Sequence, residues 1–386
     1  MKKTAAGLFA GMALTCAGNA EQALEFDASH ISEVWSNVDG GIKEDTRYLA
    51  YGDLGISVDG MAALGWKGMK ARVSAIYSNG VSVTEMAGAS QPLSNIETDV
   101  SSVWLYEAWV EHVFSNKISV KVGLQEINEE FDASETRAVF LHSSHGVGGE
   151  FGSSGVTGPS TYPYTGLGIR VKQSYKEGYY VQLGVFDGVP GNPAAPKSTA
   201  IKLDSQEGAL IVIEAGYEQG NVKVSGGVWR YTATYDDILE VDSSAQPLNR
   251  KGNDGFYGLV EVPVWTEADG QGLVGFIRAG VADSDFNTID GYWSAGGVYT
   301  GLFSGRDTDQ IGFAVVVTEA GQPYRQSQAL IGEQTNKREV SVELTYKAPL
   351  ANWAYIQPDI QYVINPGMNP VTDNTLLFGL RLGLEW

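Results

Sequence analysis

The segment Leu141–His145, LHSSH, contains residue types that bind metals or act as nucleophile and base. Two histidines three residues apart can bind a metal ion when they lie on a helix, and a histidine beside a serine is a component of hydrolase active sites. Both signals are weak here, because the nearby carboxylates are scattered and the sequence has no Gly-x-Ser-x-Gly motif. We predict no catalytic residue and no metal site. A membrane hydrolase that uses His142 or His145 is kept as one hypothesis.

A second set of polar residues alternates with apolar residues along the chain. It consists of carboxylates, amides and guanidinium groups: Glu107, Glu111, Arg170, Glu214, Arg278, Gln357, Asp359, Gln361 and Arg381. Groups of this kind can line a channel, where they bind a passing solute weakly enough to release it. The alternative for each residue is a polar wall position that only keeps the interior wet. We predict that these residues line a solute path.

The elements that must position this set are β-strands, because apolar residues recur with a period of two. The segment 340–347, VSVELTYK, alternates apolar and polar residues throughout. Such alternation indicates strands with one apolar face and one wet face. The pattern predicts about sixteen strands, at residues 23–36, 46–59, 67–78, 101–114, 118–128, 166–174, 178–187, 208–217, 221–232, 255–265, 271–283, 290–302, 308–318, 338–347, 353–364 and 374–386.

The connections between these strands alternate between short and long. The long ones lie at residues 79–100, 129–165, 188–207, 233–254 and 319–337, and three shorter ones on the same side lie at 37–45, 284–289 and 365–373. This alternation is typical of an up-and-down barrel in an outer membrane. We therefore predict an all-β fold, a transmembrane antiparallel β-barrel with short periplasmic turns and long extracellular loops.

The longest connection, residues 129–165, is the candidate to fold into the barrel and narrow it. It contributes Glu130, Asp132 and Arg137 as charged groups of the predicted constriction. A barrel of sixteen strands is wide enough to leave an aqueous path, unlike one of eight strands.

The start of the chain predicts export. Lys2 and Lys3 precede a short stretch of apolar and small residues, which indicates a signal peptide over residues 1–20 and a barrel over residues 21–386. The formal net charge of −20 argues against a nucleic-acid partner.

The final segment, residues 376–386, reads LLFGLRLGLEW. In a barrel, Phe378 and the leucines at even positions would face outer-membrane lipid, Arg381 would face the water-filled lumen, and Trp386 would lie in an aromatic girdle. A terminal aromatic residue also matches the signal that barrel-assembly machinery recognises. We therefore predict that machinery and outer-membrane lipid as partners.

The penultimate predicted strand carries a more specific motif. Residues 356–367 read IQPDIQYVINPG, and a Gly-x-Arg core follows at Gly379 to Arg381. Together with residues 104–131 and the glycine-containing segments near residues 40 and 52–59, this motif resembles the carbohydrate-selective porin family (OprB type). The family typically ends in Phe, whereas this chain ends in Trp386.

The resemblance implies a sixteen-stranded outer-membrane channel, without a cofactor, that passes small sugars such as monosaccharides. The alternative is a general or weakly cation-selective diffusion porin of the same architecture, which the acidic excess favours if enough of it lines the pore. Pro358 within the motif cannot donate to a strand ladder, so we expect a bulge or a locally unpaired position there.

Overall fold

In the computed structural model, which describes residues 23–199, 201, 203–267 and 270–386, sixteen antiparallel strands form a closed barrel. They are β1 (Leu24–Gly41), β2 (Asp45–Asp59), β3 (Met69–Asn79), β4 (Ser101–Val113), β5 (Ile118–Gln125), β6 (Gly166–Ser174), β7 (Tyr179–Asp187), β8 (Ala209–Gln219), β9 (Val222–Val241), β10 (Pro247–Thr266), β11 (Gly272–Ala282), β12 (Ile289–Thr300), β13 (Gln310–Ala320), β14 (Arg338–Ala351), β15 (Ala354–Ile364) and β16 (Asp373–Glu385). Neighbours in sequence pair in space, and β1 closes the barrel against β16. The predicted barrel of about sixteen strands is confirmed, while the predicted signal peptide, residues 1–20, lies outside the described residues.

The strands present alternate side chains to the two faces of the wall. On β16, Phe378, Leu380 and Leu382 are exposed on the outer face, whereas Leu377 and Arg381 are buried on the inner face. On β15, the ladder to β14 is unpaired between Asp359 and Ile356, around Pro358, and the register is the same on both sides of this gap. The expected locally unpaired position is therefore present.

Exposed aromatic side chains mark two levels on the outer face. At the short-turn ends lie Trp66, Phe114, Tyr175, Tyr179, Trp265, Phe303, Trp353 and Trp386, and near the long-loop ends lie Tyr48, Tyr77, Trp293 and Tyr362. Exposed valine, leucine and isoleucine side chains occupy the wall between them. An apolar band between two aromatic girdles is the pattern of an outer-membrane barrel.

Four short α-helices occur in the part of the chain that the structure describes. They are α1 (Gly60–Leu64), α2 (Thr84–Ala87), α3 (Gly149–Gly152) and α4 (Gln322–Leu330). Within that part, none of the helices has the length and apolar character to cross a membrane.

The hairpin of β9 and β10 differs from the sequence prediction. We expected a long loop over residues 233–254, but the strands continue to Val241 and resume at Pro247. Arg250 joins this extension to Asp237 and Asp285 at 3.3 and 2.8 Å. The sequence prediction was wrong because Asp237, buried on the same face as Ala233, Tyr235 and Leu239, interrupts the apolar alternation of this extension.

Two long connections fold into the barrel, and its buried core lies where they meet the wall. We call residues 80–100, between β3 and β4, loop 2, and residues 126–165, between β5 and β6, loop 3. One apolar cluster joins loop 2 to β1 and β16, and its members include Trp35, Val83, Met86, Leu93 and Leu377. A second joins loop 3 to β8, β9 and β10, and its members include Phe131, Phe151, Leu210, Trp229 and Tyr257. Loops 2 and 3 therefore fill part of the barrel interior and pack against the inner face of the wall.

Candidate functional site

Four charged residues fix the middle of loop 3 to the barrel wall. Arg278 on β11 donates to Asp132 (Nη2 to Oδ2, 2.8 Å) and to Glu150 (Nη1 to Oε1, 2.6 Å), and Arg137 donates to Asp132 (Nη1 to Oδ1, 2.9 Å). All four side chains are 0 % exposed. Burial acts to raise the pKa of Asp132, but Arg278 and Arg137 outweigh it and hold that pKa below its usual value. Asp132 is therefore ionised and serves as the centre of a loop anchor.

Two further wall carboxylates bind backbone groups of loop 3. Glu343 on β14 accepts from the N–H groups of Leu141 and His142. Glu214 on β8 accepts from the N–H of Asp132 at 2.9 Å. A buried backbone N–H without a partner is costly, so these contacts stabilise the inward fold.

The side-chain amides of β15 donate to backbone carbonyls of both loops. Gln357 donates to the carbonyl of Val139 at 2.7 Å, and Gln361 donates to the carbonyl of Leu93 at 2.9 Å. Asp359 lies between them, buried, and neither of its carboxylate oxygens has a hydrogen-bond partner among the described residues. The polar face of this strand therefore supports loops 2 and 3.

The two histidines of the LHSSH segment are buried inside loop 3. His142 accepts from the N–H of Ser144 through Nδ1 at 3.3 Å, and the ring of His145 lies 4.6 Å from that of Phe140. Burial lowers the pKa of His142 to about 4 and that of His145 well below its usual value. Both rings are therefore neutral at neutral pH. In the described residues, no group of three or more His, Cys, Asp or Glu side chains is placed to hold a metal ion.

Loop 2 is held by β16 and β14. Arg381 donates to Glu33 of β1 and to Asn95 of loop 2. Glu339 on β14 accepts from the N–H and the hydroxyl of Ser90 at 2.8 and 2.9 Å. Arg381 thus connects the last strand, the first strand and loop 2 at the seam of the barrel.

The opposite wall carries a second group of ion pairs. Arg170 on β6 donates to Glu111 on β4 at 2.8 Å and to Glu130 of loop 3 at 2.7 Å. Glu107 accepts from Arg72 on β3 at 2.9 Å. The Arg170 pairs fix the start of loop 3 beside β4 and β6, and the Arg72 pair joins β3 to β4.

Two cavities lie between the loops and the wall. The cavity toward the long loops, here called the outer chamber, has a volume of about 570 Å³, and its lining includes Tyr51, Gln91, Asn95, Glu97, Glu126 and Tyr162. The cavity toward the short turns, here called the inner chamber, has a volume of about 400 Å³, and its lining includes Glu135, Lys172, Glu218, Lys223 and Glu261. Asn128, Ala138 and Gly146 line both cavities. We call these three residues the neck, because they lie where the chambers adjoin.

The structure separates the predicted site residues into two groups. Arg381 and Arg137 lie in the lining of the outer chamber, and Glu130 lies in that of the inner chamber. The others contact the loops or neighbouring strands, away from the lining of either chamber: Glu107, Glu111, Asp132, Arg170, Glu214, Arg278, Gln357, Asp359 and Gln361. A direct role in the solute path stays a prediction for all of them.

Sequence reasoning missed the contribution of loop 2 to the outer chamber, which includes Gln91, Asn95 and Glu97. A signal was present: residues 80–100 contain Val83 and Met86 among other apolar residues, which is unusual for a loop that lies in water. It also missed Glu150 as a partner of Arg278, and no sequence pattern connects those two positions.

Comparison with known proteins gives consistent matches over nearly the whole chain. Residues 43–385 match the family described as "Carbohydrate-selective porin, OprB family". "Porin B" of Pseudomonas aeruginosa is 25% identical over 405 residues, which cover 94% of this chain and 87% of that protein. The "Putative porin QuiX" of Acinetobacter baylyi is 21% identical, with coverage of 95% and 90%.

Solved structures share the fold. The high-pH structure of Pseudomonas putida OprB superposes with a TM-score of 0.84 at 22% identity, and 95% of each chain is covered. The outer membrane channel DcaP of Acinetobacter baumannii gives a TM-score of 0.58 at 9% identity, with coverage of 94% and 97%.

Proposed function

Because the chain belongs to the carbohydrate-selective porin (OprB) family, it is an outer-membrane channel and not an enzyme, and we propose that small sugars cross it through the outer chamber, the neck and the inner chamber in turn. The observation that carries this route is that two cavities, one toward each end of the barrel, adjoin at the neck. Passive diffusion needs only such a route, with contacts weak enough for release.

The outer chamber has the chemistry that a neutral sugar needs. Asn95 presents an amide, and Tyr51 and Tyr162 present aromatic rings that lie 5.7 Å apart between centroids, whereas the amide of Gln91 is bound to Ser90, Ser144 and Ser153. A sugar ring has hydroxyl groups at its edge and apolar C–H groups on its faces. Amides bind the edge through hydrogen bonds, and tyrosine rings pack against the face.

The chamber also presents no excess of charge to a neutral solute. Its guanidinium groups are already bound, Arg137 to Asp132 and Arg381 to Glu33. Burial raises the pKa of Glu97 and of Glu126 to about 7, so a large fraction of these carboxyl groups is uncharged at neutral pH. Weak hydrogen bonds, not ion pairs, therefore dominate the contacts available to the sugar.

The neck is formed by small residues, which we infer sets the size limit. A Cβ atom added at Gly146 would lie 3.1 Å from Nδ2 of Asn128 and 3.2 Å from the carbonyl oxygen of Ser143. A larger side chain at position 146 would therefore push Asn128 toward the path or fill the path itself. Ala138 on the same boundary leaves little room for either change.

The test is swelling of proteoliposomes with sugars of increasing size. The wild-type protein should admit glucose faster than maltose, and Gly146→Val should slow glucose by at least about tenfold while the folded barrel is retained. Gly258→Val, on the exposed outer face of β10, where an added Cβ would meet only the carbonyl oxygen of Ser225 at 3.9 Å, is the matched control. Unchanged glucose entry in Gly146→Val would show that solute does not pass the neck.

A general diffusion porin with weak cation preference remains the second candidate, and the carboxylates of the inner chamber favour it. The two candidates differ in their response to glucose. Glucose should reduce the ion current of a sugar-selective channel in a planar bilayer, because bound sugar blocks ions. A current that glucose leaves unchanged, other than through viscosity, supports the general porin.

We also propose the predicted contacts with lipid and with the barrel-assembly machinery. Support for lipid contact comes from the exposed leucines and aromatic residues on the outer wall. Support for an assembly role comes from Trp386, whose N–H donates to the carbonyl of Ala28 at 2.8 Å and whose carbonyl accepts from Ala28 at 3.0 Å. The terminal residue is thus part of the seam that joins β1 to β16.

A further inference from the structure

The two chambers differ in the charges that they present. The lining of the inner chamber contains five carboxylate side chains and two ammonium groups: Glu129, Glu130, Glu135, Glu218, Glu261, Lys172 and Lys223. The lining of the outer chamber contains two carboxyl groups and two guanidinium groups, Glu97, Glu126, Arg137 and Arg381. A solute that leaves the neck toward the short turns therefore meets a more negative environment than the one it has passed.

Ion pairs neutralise only part of the inner chamber. Glu129 pairs with Lys121 at 3.1 Å, Glu130 pairs with Arg170 at 2.7 Å, and Glu218 pairs with Lys223 at 3.4 Å.

Two carboxylates remain without a cation at ion-pair distance, and Lys172 of the same lining has no ion pair within the described part of the chain, so these three groups leave a net charge of about −1. Among the described residues, no cation lies within ion-pair distance of Glu135 or Glu261, and Glu261 accepts a hydrogen bond from Ser134. Burial, together with repulsion from Glu218 and Glu261, raises the pKa of Glu135. That shift has the sign expected for a carboxyl group in a negative local field.

A second feature of the inner chamber suits an uncharged, hydroxyl-bearing solute. His145 belongs to its lining, is 2 % exposed, and neither of its ring nitrogens has a hydrogen-bond partner within the described part of the chain. Its neighbour in sequence, Gly146, is part of the neck. A neutral imidazole offers one donor and one acceptor, and a sugar hydroxyl can use either.

We propose that the inner chamber is a charge filter, in which Glu135 and Glu261 disfavour sugar acids and sugar phosphates and allow neutral and amino sugars to pass. This inference rests on the proposed function, because it assumes that solutes cross the neck. Two carboxylates at roughly 7 Å from the solute in water-like surroundings repel a single negative charge enough to change its passage about fivefold to tenfold.

The experiment compares three solutes of similar size in proteoliposomes: glucose, glucosamine and gluconate. We expect the wild-type protein to take up gluconate about twofold to threefold more slowly than glucose, because Lys172 offsets one of the two carboxylates, and glucosamine no more slowly than glucose. The double variant Glu135→Gln/Glu261→Gln should raise the gluconate-to-glucose uptake ratio about fivefold to tenfold. The control Glu240→Gln/Glu333→Gln, two exposed carboxylates of the long-loop side, should leave that ratio unchanged.

The possible results distinguish the charge filter from the proposed function. Equal uptake of gluconate and glucose by the wild-type protein, or no change of ratio in a folded double variant, would overturn the charge filter and leave the sugar path intact. Absence of glucose uptake by folded wild-type protein would overturn the proposed function itself. If the double variant does not fold, the salt dependence of the wild-type protein tests the charge filter. Raising the salt concentration to about 1 M, where screening acts within about 3 Å, should bring gluconate uptake close to that of glucose. A gluconate-to-glucose ratio that does not change with salt would refute the inference.

Discussion

Replacement of Arg278 by methionine should release loop 3 from the wall and remove the size limit of the channel. Methionine retains much of the length of the arginine side chain but none of its donors. In the wild-type protein, Arg278 Nη1 donates to both carboxylate oxygens of Glu150 at 2.6 Å, and Nε and Nη2 donate to Asp132 at 2.8 to 3.2 Å. The substitution removes all of these bonds at once.

The free-energy cost of the substitution depends on the ion pairs and hydrogen bonds that Asp132 and Glu150 keep. Asp132 keeps Arg137 at 2.9 Å and the N–H of Gly148 at 3.2 Å. Glu150 loses the one ion pair seen for it among the described residues. Breaking a buried pair by removal of one partner costs about 3–5 kcal/mol. Glu343 still holds loop 3 through two hydrogen bonds of roughly 1.5–3 kcal/mol each, a total similar to this cost. We therefore expect loop 3 to leave the wall around Glu150 in a measurable fraction of molecules.

A double variant tests this reasoning directly. In Arg278→Met/Glu150→Gln the group left behind is neutral, so the buried uncompensated charge disappears. We expect this variant to recover part of the wild-type behaviour. Burial raises the pKa of Glu150 even beside Arg278, which agrees with a carboxyl group whose charge is poorly tolerated there.

The assay combines single-channel conductance with liposome swelling. Arg278→Met should give larger and more variable conductance and should admit maltose nearly as fast as glucose, with wild-type β-sheet content by circular dichroism. Arg230→Met, at an exposed pair with Asp254, is the matched control and should behave as wild type. Wild-type conductance and size discrimination in a correctly folded Arg278→Met would refute the view that this cluster holds the constriction.

Two further predictions concern pH and assembly. Since the pKa values of Glu97 and Glu126 are raised to about 7, these carboxyl groups lose protons as the pH rises through 7, and the outer chamber becomes more negative. Reversal potentials in a salt gradient should therefore show a cation preference that increases between about pH 6 and 8. The variant Glu97→Gln/Glu126→Gln should flatten this pH dependence. Trp386→Ala should lower the amount of assembled protein in the outer membrane more than it changes sugar uptake per assembled channel, whereas Trp353→Ala, at an exposed tryptophan of the same girdle, should have a smaller effect on assembly. Equal assembly of both variants would contradict a special role for the terminal residue.

The barrel could be predicted from the sequence because the residue pattern of each strand reflects what its two faces contact. Alternation on a segment such as Leu376 to Trp386 follows from lipid on one face and the lumen on the other, and this condition is local. The same logic failed beyond the membrane, where the buried Asp237 interrupts the apolar alternation of residues 233–241. The path of loop 3 could not be predicted, because the partners that hold it lie on other strands at large sequence separation. Glu150 and Arg278 are 128 residues apart, for example.

The placement of the charged residues explains why the alternation of residues along a strand does not by itself identify a solute path. An arginine on the wet face of a strand has two uses: it can meet the solute, or it can bind an inward-folded loop. In this barrel Arg278 and Arg170 take the second role, since both are buried and bound to carboxylates of loop 3. A channel that must release a neutral sugar benefits from this arrangement, because charges that are fully paired do not compete for sugar hydroxyls or retain counterions. The solute is then left with amides, tyrosines and small residues at the neck. The two unpaired carboxylates of the inner chamber can act on charged solutes and leave neutral sugars unaffected.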